Sequence, residues 1–182
     1  MSIVAGIISK GTVIVGADRQ SSGINTKYIR SQAKIFHKDM MIWGVVGYPR
    51  VAQLIQYTLS IKKQIEKQET EEYVVSTVIP ALRTMLKRNG YLHIENSVGE
   101  MPGNTEILLA IHKKLYIIEY NFHVREQLDQ YAATGSGEEY ALGSFAATKG
   151  LALTPKKRIQ LALKAAAKYN LYVSKPFDYL KI

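Results

Sequence analysis

Apolar positions along the chain alternate between two kinds of spacing. Ile3 to Ile8 is apolar and β-branched, Lys10-Gly11 is a turn, and Thr12 to Ala17 is a second apolar strand, so the segment predicts a β-hairpin. Asp18 to Thr26 is polar and Gly-containing and reads as loop. Lys34-Ile35-Phe36 is a short strand and His37-Lys38-Asp39 a turn. Met40 to Val46 is a further apolar strand, ended by Gly47-Tyr48-Pro49.

The spacing then changes to that of helices. Pro49 suits a first helical turn, where its missing N–H costs nothing. From there Val51, Leu54, Ile55, Leu59, Ile61 and Ile65 predict a helix to about Lys67. Thr70 is placed to cap a second helix, with Tyr73, Val74, Val78, Leu82, Met85 and Leu86 inward and Asn89-Gly90 as its stop. Pro80 is expected to kink or restart that helix. Glu95 to Gly103 reads as loop.

Strand spacing returns at Glu106 to His112, Leu115 to Tyr120 and Tyr131 to Thr134. Ser136 to Thr148 reads as helix, closed by Gly150. Thr154-Pro155 opens a last helix to about Tyr169, with Ile159, Leu163, Ala166 and Ala167 inward, and Leu171 to Val173 is a final short strand. Grouped hairpins followed by grouped helices point to antiparallel sheets covered by helices, an α+β chain and not a parallel βαβ one. No repeat or linker divides residues 1–182, which read as one domain.

Composition narrows the chemistry. Of 182 residues 47% are hydrophobic and 21% charged, which is globular composition. There is no cysteine, which removes disulfides, Cys-ligated metal and a thiol nucleophile, and leaves Ser, Thr, Lys, a carboxylate, His or Tyr. No apolar run reaches the ~18–20 residues of a spanning helix, and Lys10 arrives too early for a signal peptide. A soluble, cytoplasmic protein is the expectation. The net charge of +9 is spread along the chain without a run of five like charges, so a solvated basic surface is preferred to nucleic-acid binding. G-x-G-x-x-G, the P-loop and G-x-S-x-G are absent, and His37, His93, His112 and His123 lack metal-ligand spacing.

The remaining signal is at the start. Removal of Met1 is favoured before a small residue and would expose the α-amine of Ser2. Such an amine, with an ordinary pKa near ~7.7–8.0, is a built-in general base for its own hydroxyl. Ser at position 2 alone says little. Ser2-Ile3-Val4-Ala5-Gly6, Gly16-Ala17-Asp18-Arg19-Gln20, Gly23-Ile24-Asn25-Thr26 and Ala33-Lys34-Ile35 together resemble the start of a proteasome β subunit, most of all the bacterial HslV-type peptidase. Asp18 and Lys34 stand 16 and 32 residues after Ser2, the spacing of that family. Trp43-Gly44-Val45-Val46-Gly47 is similar to its G-x-x-G turn, and Gly135-Ser136-Gly137 with Tyr140-Ala141-Leu142 to its G-S-G…Y-A-L segment. The resemblance covers nearly the whole chain.

The resemblance implies a four-layer αββα sandwich, the N-terminal-nucleophile (Ntn) hydrolase fold, and hydrolysis of peptide bonds. Ser2 would be the nucleophile, with Asp18 and Lys34 beside it. The N–H of Gly47, rather than Gly44, would stabilise the oxyanion, and Ser136 would bond the amine or a water. It implies no cofactor for hydrolysis, and a structural Na+ or Mg2+ on the backbone carbonyls of Ala167, Asn170 and Val173. It implies a homo-oligomer of hexameric or heptameric rings, a polypeptide substrate and a separate AAA+ ATPase unfoldase, with no membrane or nucleic-acid partner. Three departures from the family's pattern matter, the first being Ser2 where Thr is the commoner nucleophile, although Ser is tolerated in some members. The alignment puts Lys168 where the family has a supporting Asp, with Asp178 too far along to replace it, and a retained Met1 would block the amine. A catalytically inactive, ring-forming assembly subunit is the alternative.

Overall fold

The computed structural model describes residues 2–95 and 98–182. Strands β1 (Val4–Ser9) and β2 (Thr12–Asp18) form the expected hairpin. Its turn residues Lys10 and Gly11 both have positive φ, 48° and 76°, the geometry whose twist matches flanking strands. Strands β3 (Gln20–Ser22) and β4 (Lys27–Ile29) make a small second hairpin where the sequence reads as loop. β4 is exposed throughout, so no alternation of apolar and polar positions marks it. Strands β5 (Ile35–Lys38) and β6 (Met41–Val46) follow.

Helix α1 (Pro49–Thr58) stops well before the predicted Lys67. Its inner face is complete with Val51, Ala52, Leu54 and Ile55, and Leu59 then turns to extended backbone while its side chain stays buried. Ile65, counted as the next inward position, is solvent-exposed, so the apolar spacing beyond Leu59 is coincidental. The next helix runs α2 (Thr70–Tyr73), a π-helical turn Val74–Val78, and α3 (Ile79–Arg88). Thr70 is its first helical residue, and Glu69 holds the cap position without a side-chain bond. Pro80 supplies no N–H to the residue four back. The wider turn before it accommodates this, with the Ile79 N–H reaching Val74 O five residues back.

The segment read as loop from Glu95 contains β7 (His93–Glu95) and β8 (Val98–Glu100), a short antiparallel pair, and part of it lies outside the described residues. Strands β9 (Glu106–Ile111), β10 (Lys114–Ile118), β11 (Val124–Glu126) and β12 (Tyr131–Thr134) come next. Helices α4 (Glu138–Ala147) and α5 (Pro155–Tyr169) close the chain's helical part, with the Thr154 side chain capping α5 by accepting the Lys157 N–H. The last strand is β13 (Phe177–Lys181), not residues 171–173. Leu171 and Tyr172 point to solvent, and only Val173 of that trio is buried.

Two antiparallel sheets are packed face to face, β12-β1-β2-β13 and β11-β10-β9-β6-β5. Three apolar clusters separate four layers. Val74, Leu82 and Leu86 of the α2–α3 helix, with Leu54 and Ile55 of α1, cover Trp43, Leu109 and Tyr116 on one sheet. Val4, Val15, Ile42, Leu108 and Leu115 fill the space between sheets. Phe145, Ile159 and Leu163 of α4 and α5 cover Ile3, Ala5 and Ile7 on the other. This is the predicted αββα sandwich. The sheets approach closely at Gly44, where an added Cβ would lie 2.4 Å from Val4 Cγ1.

Candidate active site

Four chain segments converge where β1 begins. Ser2 is 5% exposed and lies two residues before the start of β1. Asp18 ends the paired strand β2 and is fully buried; its Oδ1 accepts the Ile3 N–H at 3.0 Å and its Oδ2 the Gln20 N–H at 2.9 Å. Two backbone donors thus hold the carboxylate next to Ser2. Lys34, just before β5, places its Nζ 2.6 Å from Asp18 Oδ1 and donates to Gln20 O, also at 2.6 Å. The hairpin register and the turn into β5 therefore bring the three spaced residues into one buried cluster.

Burial pushes the Lys34 ammonium below its ordinary range, against the attraction of Asp18, and nearby Arg30 pushes the same way. Arg30 is itself lowered by burial and held up by Asp18. Its backbone N–H bonds Arg19 O at 3.0 Å. Nothing in its spacing separates it from other basic residues of the chain, so no sequence signal marks it.

The fourth segment leads into α4. The Ser2 backbone N–H donates to Ser136 Oγ at 3.2 Å, and the Gly137 N–H to Ser2 O at 3.3 Å. Ser136 Oγ has one proton to offer, with Ser2 O at 3.3 Å and Asn170 Oδ1 at 3.4 Å as acceptors. Asn170 Nδ2 in turn donates to Ser136 O. Gly135, at φ 96°, makes this approach feasible: a Cβ there would lie 2.4 Å from Ser2 O and 3.2 Å from Val46 Cγ1.

Val46, the last residue of β6, thus lies beside Gly135. Gly47, with φ 92°, turns the chain there, and a Cβ on it would lie 2.6 Å from Thr105 Cα. Thr105 Oγ1 takes the neighbouring Tyr48 N–H at 3.0 Å, and no acceptor among the described residues takes the Gly47 N–H. Gly44 is locked between β5 and β9 against Val4 and faces the intersheet core.

The end of α5 adds a further side chain to this cluster. Asn170, at the C-terminal cap of α5, meets Ser136, whereas Lys168 turns its Nζ over the Tyr169 ring at 5.1 Å. The helix therefore sets a carboxamide, not a lysine, against the serine cluster. Asp178 is engaged with Arg19, its two oxygens 2.6 and 2.7 Å from the guanidinium nitrogens. The Asn170 carbonyl accepts the Val173 N–H at 3.3 Å, and among the described residues no group of three His, Asp or Glu side chains is arranged to hold a metal. Whether Met1 is retained lies outside the described residues.

No protein-family model and no curated protein sequence matches the chain. Solved structures do. Thiobacillus denitrificans BPH in complex with epoxomicin superimposes with a TM-score of 0.82 at 19% identity, over 99% of this chain and 97% of that one. Eukaryotic HslV from Trypanosoma brucei gives 0.70 at 15% identity over 98% of each chain. The Anbu complex from Pseudomonas aeruginosa, a helical assembly, gives 0.67 at 15% identity over 100% of this chain and 81% of that one. The fold is the Ntn-hydrolase fold of proteasome-type subunits, as the sequence predicted. Among the described residues no helix is long and apolar enough to cross a membrane.

Proposed function

We propose that the chain is a peptidase subunit of the proteasome type that cleaves peptide bonds with Ser2 after loss of Met1. The observation that carries this reading is the buried Lys34–Asp18 pair, tied through the Ile3 N–H to the residue next to Ser2. A buried ion pair is an expensive way to stabilise a core, and its position at the chain start gives it chemical use. Ser2 Oγ attacks the scissile carbonyl while the Ser2 α-amine takes its proton. The Lys34 charge favours the alkoxide and keeps the amine neutral. The Gly47 N–H receives the oxyanion, a donor worth about 2.7–4 kcal/mol in other hydrolases. The amine returns the proton to the leaving nitrogen, and water then hydrolyses the ester. Ser136, held by Asn170, bonds the Ser2 nitrogen and orients it.

In this reading the chain works in the cytoplasm as a homo-oligomer in hexameric or heptameric rings, fed with polypeptide by an AAA+ ATPase unfoldase. A Na+ or Mg2+ ion on the carbonyls of Ala167, Asn170 and Val173 would sit at the negative end of the α5 dipole and brace the turn that carries Asn170. The Asn170 carbonyl keeps one lone pair for it. The test is turnover of fluorogenic peptides: Ser2→Ala is expected to abolish it, and activity that survives the change removes Ser2 as nucleophile.

A further inference from the structure

A second feature is independent of the serine cluster. A cleft of about 650 Å³ opens between the C-terminal half of α5, strand β4 and the segment leading into β13. Four lysines line it: Lys27 from β4, Lys164 and Lys168 from α5, and Lys175 from the last segment. No carboxylate lines it, and among the described residues none of the four forms an ion pair. Lys164 and Lys168 stand one helical turn apart, a like-charge spacing that destabilises a helix.

The cleft also holds a polar group in want of a partner. Ser174 lines it, and Ser174 Oγ is buried with no hydrogen bond. A buried hydroxyl left unbonded costs free energy that a ligand acceptor would recover. A lysine near a helix C-terminus offsets the helix dipole, which accounts for Lys168 but not for Lys27 or Lys175, which lie outside helices. The convergence of lysines from three chain segments on one concavity is the observation that calls for a ligand.

We propose that this cleft binds a compact, multiply charged phosphate anion of the small polyphosphate class, with the four lysines neutralising it and the Ser174 hydroxyl donating to it. Its volume lies within the ~300–1,000 Å³ of small-molecule sites. Ile29 supplies an apolar wall on one side. The site gives part of the +9 net charge a specific location and gives Lys168 a role away from Ser136. Binding there does not depend on whether Ser2 hydrolyses peptides.

Calorimetric titration of the full chain with inorganic tripolyphosphate tests it. Saturable one-to-one binding at low salt, weakening as salt rises, is expected. Lys164→Glu with Lys175→Glu is expected to weaken binding at least about tenfold, because two attractive charges become repulsive. Lys156→Glu with Lys157→Glu, at the other end of the same helix, carries the same change in net charge and should leave affinity within about twofold. Ser174→Ala, which changes no charge, should weaken it about threefold to tenfold, the worth of one hydrogen bond. Circular dichroism confirms that each variant is folded. Absence of saturable binding at low salt overturns the proposal. So does equal weakening by both charge-reversal pairs, and so does tighter binding of a single-stranded oligonucleotide that both pairs abolish, since either outcome marks a diffuse basic surface.

Discussion

At the scale of single residues the site rests on two conditions, one of backbone geometry and one of charge. Gly135 must have φ near 96° with nothing on its α-carbon, because Ser2 O occupies the place of a Cβ. Gly135→Ala is therefore expected to cost at least about 1–3 kcal/mol in denaturant unfolding. It should also lower peptide turnover about a hundredfold, the effect of an ångström's misplacement of a reacting group. The second condition is charge pairing. Lys34→Met leaves Asp18 buried without its cation and should destabilise by about 3–5 kcal/mol, whereas adding Asp18→Asn to it should recover much of that loss. Burial lowers the Lys34 pKa below 10.5, so in the window beneath 10.5 the unfolded chain holds more protons than the folded one. Stability from this group then rises with pH through that window. Asp18→Asn removes the attraction that holds the pKa up, so it should widen the window downward. Denaturant midpoints across pH measure both effects.

At the scale of elements the helix α5 does more than cover a sheet. Its inward face of Ile159, Ala162, Leu163 and Ala166 packs on β1, and its last turn ends in Asn170 facing Ser136. Asn170→Ala should lower kcat about tenfold with KM unchanged, since it loosens Ser136 without touching the substrate; a positioning hydrogen bond of about 1–1.5 kcal/mol converts to that factor. Asn170→Asp, which keeps an acceptor for the Ser136 hydroxyl, should retain more activity than Asn170→Ala. Steady-state kinetics of the two variants read this directly. The elements also show what periodicity can and cannot reveal. The β1–β2 hairpin, α4 and α5 were legible because their buried faces are strongly apolar or their ends carry Gly, Thr or Pro. Strands β3, β4, β7, β8 and β11 were not, being three residues long, and where their burial is described β4 is wholly exposed and β11 has no buried residue. The end of α1 was missed because Ile61 and Ile65 keep helical spacing in a segment that is not helical.

At the scale of the molecule, residues far apart in sequence meet because two sheets stack. Ser2, Asp18 and Lys34 were legible through spacing and resemblance, since hairpin register carries Asp18 back beside Ile3 and a short connection returns Lys34. Asn170 was named for its carbonyl and not for its side chain, because a gapless alignment cannot show which residue of a helix's last turn faces inward. Arg30 and Thr105 act through tertiary contacts with no local signature. The lysine cleft drew residues from three distant segments, so the charge looked evenly spread along the chain and is concentrated only in space.

Intact-mass spectrometry of the purified chain, before and after an electrophilic inhibitor that labels N-terminal nucleophiles, tests the central claim most directly. The account predicts a starting mass lacking Met1 and one inhibitor adduct per chain, mapped to Ser2 and absent from Ser2→Ala. A full-length mass that takes up no adduct, or an adduct that persists in Ser2→Ala, would contradict it.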